Sequence, residues 1–137
     1  DQLELKAYLS IVSNVKNLKV NENKVKLLGH GFDTKSLINI YDDNNIIILP
    51  SFTEGHPQVV DEALARGRPV VIFEDISHII QGKKGIFISK RNIVSLSKTL
   101  NYIMKNYRKI EKDIKKNILP TREDFVKSIS SIIETNS

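Results

Sequence analysis

Hydrophobic and polar positions along this chain fall into short blocks whose period changes from strand-like to helix-like. Leu3, Leu5, Ala7, Leu9 and Ile11 recur at every second residue, which favours a strand near 5–12, with a helix as the other reading. Residues 14–23 are polar except for Val15, Leu18 and Val20, and read as a short helix or a loop. VKLLG at 25–29 is a strand closed by glycine. Asp33 stands where a side-chain oxygen can cap a helix carrying Leu37, Ile38 and Tyr41. The run Ile46 to Leu49 is continuously apolar, the pattern of a strand covered on both faces in a parallel sheet.

The second half repeats the alternation. Pro57 suits the first position of a helix over 57–66, because it has no N–H to lose and its φ is already near helical. Gly67 follows where a left-handed residue is wanted, and Pro69 keeps the helix from resuming. Val70 to Ile72 reads as a central strand, Ser77 to Ile80 as a short turn of helix, and Gly82 to Gly85 as a turn into a strand over 86–88. Asn92 can cap a helix with Ile93, Leu96, Leu100, Ile103, Met104 and Tyr107 on one stripe, continued at helical spacing by Ile110, Ile114 and Ile118. Pro120 ends it, and Thr121 with Asp124 resembles a capping box opening a last helix through Phe125, Val126, Ile129 and Ile132. Strands alternating with helices at this spacing predict a Rossmann-like, doubly wound parallel α/β sheet with helices on both faces and C-terminal helices. The whole of 1–137 is expected to form one domain.

Composition narrows the function. With 40% hydrophobic and 27% charged residues the chain is an ordinary globular domain. The absence of cysteine removes disulfides and thiolate metal sites. No apolar run is long enough to span a bilayer, and DQLELK is not a signal peptide, so a cytoplasmic address is the expectation. The formal charge of +5 suits a phosphate-bearing ligand or peripheral contact with an anionic membrane, although a solvated lysine surface accounts for it equally well. Aromatic residues are not interleaved with the basic ones, which argues against a nucleic-acid partner. No His/Asp/Glu cluster has metal-ligand spacing, so neither a metal nor a cofactor is expected.

The candidate chemistry lies in LPSFTEGHPQVVDEALARGRPVV, residues 49–71. A strand running straight into a helix aims that helix's free amides and positive dipole end at the carboxyl edge of the sheet. An anion there gains about 0.3–1 kcal/mol when exposed and up to about 2 when partly buried. Glu54 before the helix and Glu62 on it bracket this anion site, with seven residues between them. A carboxylate accepts paired hydroxyls, each charge-assisted bond contributing roughly 1.5–3 kcal/mol. Hydroxyl acceptor, phosphate-binding amides and a second hydroxyl acceptor together match a sugar–diphosphate–ribose ligand. Against this stands the plainer reading of two solvated carboxylates on a turn and a helix face.

This stretch resembles the signature of the retaining, GT-B-fold glycosyltransferases of family four, whose form is PS-x-x-EG-x-P, a second Glu eight positions after the first, then A-x-x-x-G-x-PVV. Pro50, Ser51, Glu54, Gly55, Pro57, Glu62, Ala63, Gly67, Pro69, Val70 and Val71 fall in register. VKLLG, SLINIY and NIIILPS follow the family's order upstream, so the resemblance covers about 25–105, with Asn45 where the family usually has Asp and His78 where it often has Glu. The resemblance implies a nucleotide-diphosphate sugar as donor substrate. Glu54 would be the catalytic-site carboxylate orienting the transferred sugar, and Glu62 would bind both ribose hydroxyls. Gly55, His56 and Pro57 would face the sugar, with His56 a contact and not a base. Gln58, Val59 and Val60 would offer amides to the diphosphate, and the loop of Gly29, His30 and Gly31 would approach the nucleotide base. The family's basic pair and its N-terminal acceptor domain would lie upstream. On that reading the chain is the donor-binding half of a larger enzyme, without the first βα unit and inactive alone. Two rivals remain: a non-catalytic interaction or regulatory domain on the same fold, and a fragment of a GT-B-type sugar-nucleotide epimerase.

Overall fold

A computed structural model describes residues 7–13, 18–124, 127 and 130. The chain divides into two compact units, Asp1–Asn44 and Asn45–Ser137. Both contain parallel strands, and in the second these alternate with helical segments, as the periodicity predicts.

In the first unit, β1 (Leu9–Val12) pairs in parallel with β2 (Val25–Gly29), Leu9 facing Val25, with an irregularity between Ile11 and Val12. The strand reading of the first block therefore holds over 9–12, while 1–6 lie outside the described residues. Residues 18–20 are irregular, and the predicted short helix or loop is otherwise cut by 14–17, also outside them. Gly29 ends β2 at φ 77°, a left-handed conformation that glycine adopts without a Cβ clash. Helix α1 (Thr34–Asp43) starts where Asp33 predicts: the Ser36 amide donates to Asp33 Oδ1 at 2.7 Å. That bond holds the Asp33 carboxyl below its ordinary 3.8.

In the second unit the strand order is β3 (Ile47–Leu49), β4 (Val70–Phe73), β5 (Ile86–Ser89), all parallel. The continuously apolar run at 46–49 was expected to be covered on both faces, yet Ile47 to Leu49 are only half-buried. β3 lies at one side of this sheet, whereas β4 lies between two strands and all its residues are buried. A short apolar run reports hydrophobicity and says little about position in the sheet.

The core is assembled by α2 (Gln58–Ala65), which contributes Val60, Ala63 and Leu64, together with β4 and Ile76 and Ile79 from a 3₁₀ segment, Glu74–Ile80. Helices α3 (Ile93–Lys105) and α4 (Tyr107–Ile114) add Ile103, Ile110 and Ile114. Asn92 caps α3 as predicted, its Oδ1 accepting from the Ser95 amide at 2.9 Å. The single apolar stripe expected from Ile93 to Ile118 is broken. α3 stops at Asn106, whose amide bonds back to Tyr102 and Ile103, and a separate helix begins. Ile93 and Met104 are exposed, and Ile118 lies beyond α4, 97% exposed. Tyr107, at the start of α4, donates its hydroxyl to the Asn45 carbonyl at 2.9 Å and receives Arg68 Nη1 at 3.3 Å, tying the amino edge of the sheet to the end of α2.

Thr121 and Asp124 form the predicted capping box. The Thr121 amide and hydroxyl donate to Asp124 Oδ2 at 2.8 and 2.7 Å, and the Asp124 amide returns to Thr121 Oγ1 at 3.2 Å. Phe125, Val126, Ile129 and Ile132 of the expected last helix lie outside the described residues. Among the described residues no helix is long and apolar enough to cross a membrane, and no three potential ligands gather around a metal position.

Candidate functional site

The two ends of α2 are built differently. Its carboxyl end is closed by a Schellman motif: Gly67 has φ 71°, its amide bonds to Leu64 at 2.9 Å, and the Arg68 amide bonds to Ala63 at 2.9 Å. At the amino end, Pro57 is the cap (φ −74°, ψ 113°) rather than the first helical residue that its ring suggested. Its ψ is extended, so the helix starts one residue later, at Gln58. Pro57 carries no side-chain oxygen, and no side-chain hydrogen bond caps this end.

The signature residues lie around this open end. Glu54 is half-buried in the turn, and Ser51 Oγ donates to its Oε1 at 2.6 Å. A carboxylate has about four acceptor positions, so one hydroxyl leaves capacity for ligand hydroxyls. The Glu54 carbonyl accepts from His78 Nε2 at 2.7 Å, which calls for the tautomer protonated at Nε2. Gly55 is exposed, and a Cβ added there would meet nothing within 4 Å. His56 is exposed, and its Nε2 lies 2.9 Å from Asp61 Oδ2. Gln58 and Val59 are exposed in the first turn, whereas Val60 is buried and its amide donates to the Pro57 carbonyl at 3.1 Å. Glu62 is half-buried on α2. Gly29 and His30 are exposed, and both belong to the first unit.

Several contributors were not evident beforehand. Asp61, which the sequence leaves as either solvent-facing or a support behind the site, has a side chain only 16% exposed and holds Lys83 Nζ at 2.7 Å as well as His56. His78 had no assigned contact. Arg91 was not singled out at all. It lies two residues past the end of β5, and in parallel sheets the carboxyl ends of strands are where ligands bind, a positional signal available from the strand pattern. Its Nε donates to Asp75 Oδ2 at 2.8 Å, Nη1 to the Pro50 carbonyl at 3.0 Å and Nη2 to the Ser51 carbonyl at 2.6 Å. Two shallow depressions among the described residues lie elsewhere, one on α3 around Ile93, Val94 and Tyr102 and one around Leu18 and Leu27. A turn that opens to solvent need not be concave in the isolated chain.

The family described as "Glycosyl transferases group 1" matches residues 4–106. The chain belongs to the group 1 glycosyl transferases. Among curated relatives of this family member, an uncharacterized glycosyltransferase of Haemophilus influenzae is 30% identical over 109 residues, which covers 66% of this chain and 31% of that protein. Protein CapJ of Staphylococcus aureus is 30% identical over 89 residues, covering 64% of this chain and 23% of CapJ. The matched part thus spans a third or less of the length of these relatives. Among solved structures, sucrose-phosphate synthase from Thermosynechococcus elongatus superposes with a TM-score of 0.66 at 16% identity, over 82% of this chain and 30% of that one. HepE of Anabaena, solved in complex with UDP, gives 0.62 at 24% identity, over 83% and 32%. At these identities the likeness is one of fold, the α/β architecture of GT-B glycosyltransferases.

Proposed function

We propose that this chain binds the donor of a retaining glycosyltransferase, a nucleotide-diphosphate sugar, and that a further domain of the same polypeptide presents the acceptor. The observation that carries this reading is the α2 amino end: no side chain caps it, and a glutamate stands on either side of it in a stretch that matches the family. The diphosphate would lie against the first-turn amides of Gln58 and Val59, with Val60 behind them. Glu54 would take hydroxyls of the sugar, and Glu62 the ribose hydroxyls. Gly55, His56 and Pro57 would line the sugar's path. Transfer with retained configuration then needs charge stabilisation on the leaving diphosphate, which oriented amides and basic side chains supply without a metal. The UDP bound by HepE supports a nucleotide in this fold, and the +5 charge suits both that ligand and peripheral contact with an anionic membrane.

Calorimetric titration of UDP and GDP into the wild-type chain and Glu62→Ala tests the ribose assignment. Loss of the carboxylate should weaken the preferred nucleotide by about 1.5–3 kcal/mol. Equal binding of both nucleotides by wild type and variant would remove Glu62 from the site.

A further inference from the structure

We infer that Arg91 is a positioning residue for the donor site, a planar clamp that gathers the carboxyl ends of all the strands in the β3-β4-β5 sheet and fixes the turn carrying Glu54. The inference rests on the reading of Glu54 given above. Arg91 follows the end of β5. Its bonds to the Pro50 and Ser51 carbonyls reach the chain leaving β3, and its bond to Asp75 reaches the chain leaving β4. The guanidinium carbon also lies 3.7 Å from the centroid of the Phe52 ring and 4.5 Å from that of Phe73. Phe73 is buried, but Phe52 is 71% exposed, so the cation covers a ring that the core does not hold.

The segment 50–57 is neither helix nor strand, and its shape depends on contacts such as these. Arg91 holds the Ser51 carbonyl, and the hydroxyl of that same serine holds the Glu54 carboxylate. The guanidinium therefore acts on Glu54 through one intervening residue, while His78 fixes the Glu54 carbonyl from the 3₁₀ segment. The fork geometry matters. Three donors aimed at three acceptors, with a flat face over an aromatic ring, are within reach of arginine but not of a lysine ammonium. The side chain is 29% exposed and its contacts lie at the rim of the sheet, so its loss should loosen the turn without opening the core.

The test compares wild type, Arg91→Lys and Arg91→Ala as the full chain. Calorimetry is done with UDP, GDP and their glucose, N-acetylglucosamine and mannose conjugates. Backbone ¹⁵N relaxation of residues 51–55 is measured without ligand. Both variants should bind the preferred nucleotide sugar about tenfold more weakly. Affinity for the bare nucleotide should change less than about twofold, because the lost contacts lie at the sugar end. Order parameters for 51–55 should fall from roughly 0.85 towards 0.6 or below in both variants. Unchanged order parameters in Arg91→Ala, equal losses for nucleotide and nucleotide sugar, or full rescue by lysine would each overturn the clamp. If Arg91→Ala does not fold, Arg91→Lys gives the same readouts. If wild type binds none of the nucleotide sugars, the donor-site reading fails, and the order parameters alone decide whether Arg91 holds the turn.

Discussion

Helices α1 and α3 each begin with a side chain that satisfies a first-turn amide, whereas α2 begins with a proline that cannot. Asp33 and Asn92 close their helix starts with their own side-chain oxygens. α2, entered from β3 through the matched family stretch, has no side-chain hydrogen bond at its start. α4 also starts without a side-chain cap, at Asn106, but it follows directly on α3, whereas the α2 start follows a strand and lies in the family stretch. The carboxyl end of α2, by contrast, is closed by its glycine motif.

The comparison breaks most severely if the closed side of the unit is disturbed. Gly85, at φ 90°, lies so close to Ile114 that an added Cβ would overlap its side chain, and it would lie 3.1 Å from Leu64 of α2. Overpacking at about 1–3 kcal/mol and left-handed strain at about 1–2 combine, so Gly85→Ala should lower stability by about 2–5 kcal/mol in a denaturant titration. A loss below about 1 kcal/mol would show that the α4 contact yields easily.

The open end is sharpened by closing it. Pro57→Asp would supply both a cap and a negative charge, and should leave the thermal midpoint near wild type while weakening nucleotide-diphosphate binding about tenfold or more. Asp33→Ala and Asn92→Ala should do the reverse, costing about 0.5–2 kcal/mol each with nucleotide binding unchanged. Midpoints and nucleotide titrations on the same samples check both halves. If Pro57→Asp binds nucleotide as wild type does, the amides of α2 are not the anion site.

The smallest effect is acid dependence. Asp33 is held below its ordinary 3.8 by the Ser36 amide, Asp124 by the Thr121 amide, and Asp113 by the Lys116 ammonium, 2.6 Å away. A carboxyl depressed in the folded state contributes stability above its unfolded value and loses it as pH falls through the lowered one. Thermal midpoints should therefore begin to drop only below about pH 3.8 on account of these groups, and Asp33→Asn should flatten that slope slightly. Asp33 and Asp124 are exposed and Asp113 is partly so, and an acid loss that began well above pH 4 would have to come from other groups.

The strands, the helix starts at Asp33 and Asn92 and the stop at Gly67 were legible because each rests on local chemistry: hydrophobic period, a short polar cap, a residue free to take positive φ. The fold class was legible for the same reason, and the stretch around Glu54 and Glu62 through its resemblance to a family signature. What escaped was set by partners distant in sequence. Burial of β4 and partial exposure of β3 depend on strand order, which no short window reveals. Ile93 and Met104 kept helical spacing without a surface to meet. Arg91 reads as one more basic residue until the ends of three strands are brought beside it. The partner of Asp61, Lys83, is likewise 22 residues away.

The Tyr107 hydroxyl, anchored to the Asn45 carbonyl and met by Arg68, fastens the amino rim of the sheet on the side away from the signature turn. With one rim latched and β4 acting as a dry spine, the loops of the opposite rim are free to be exchanged without unravelling what lies beneath. Chimeras that graft the turn after β3 together with the segment after β5 from a relative should therefore retain their scaffold, because Arg91 and the carbonyls it holds travel as one piece.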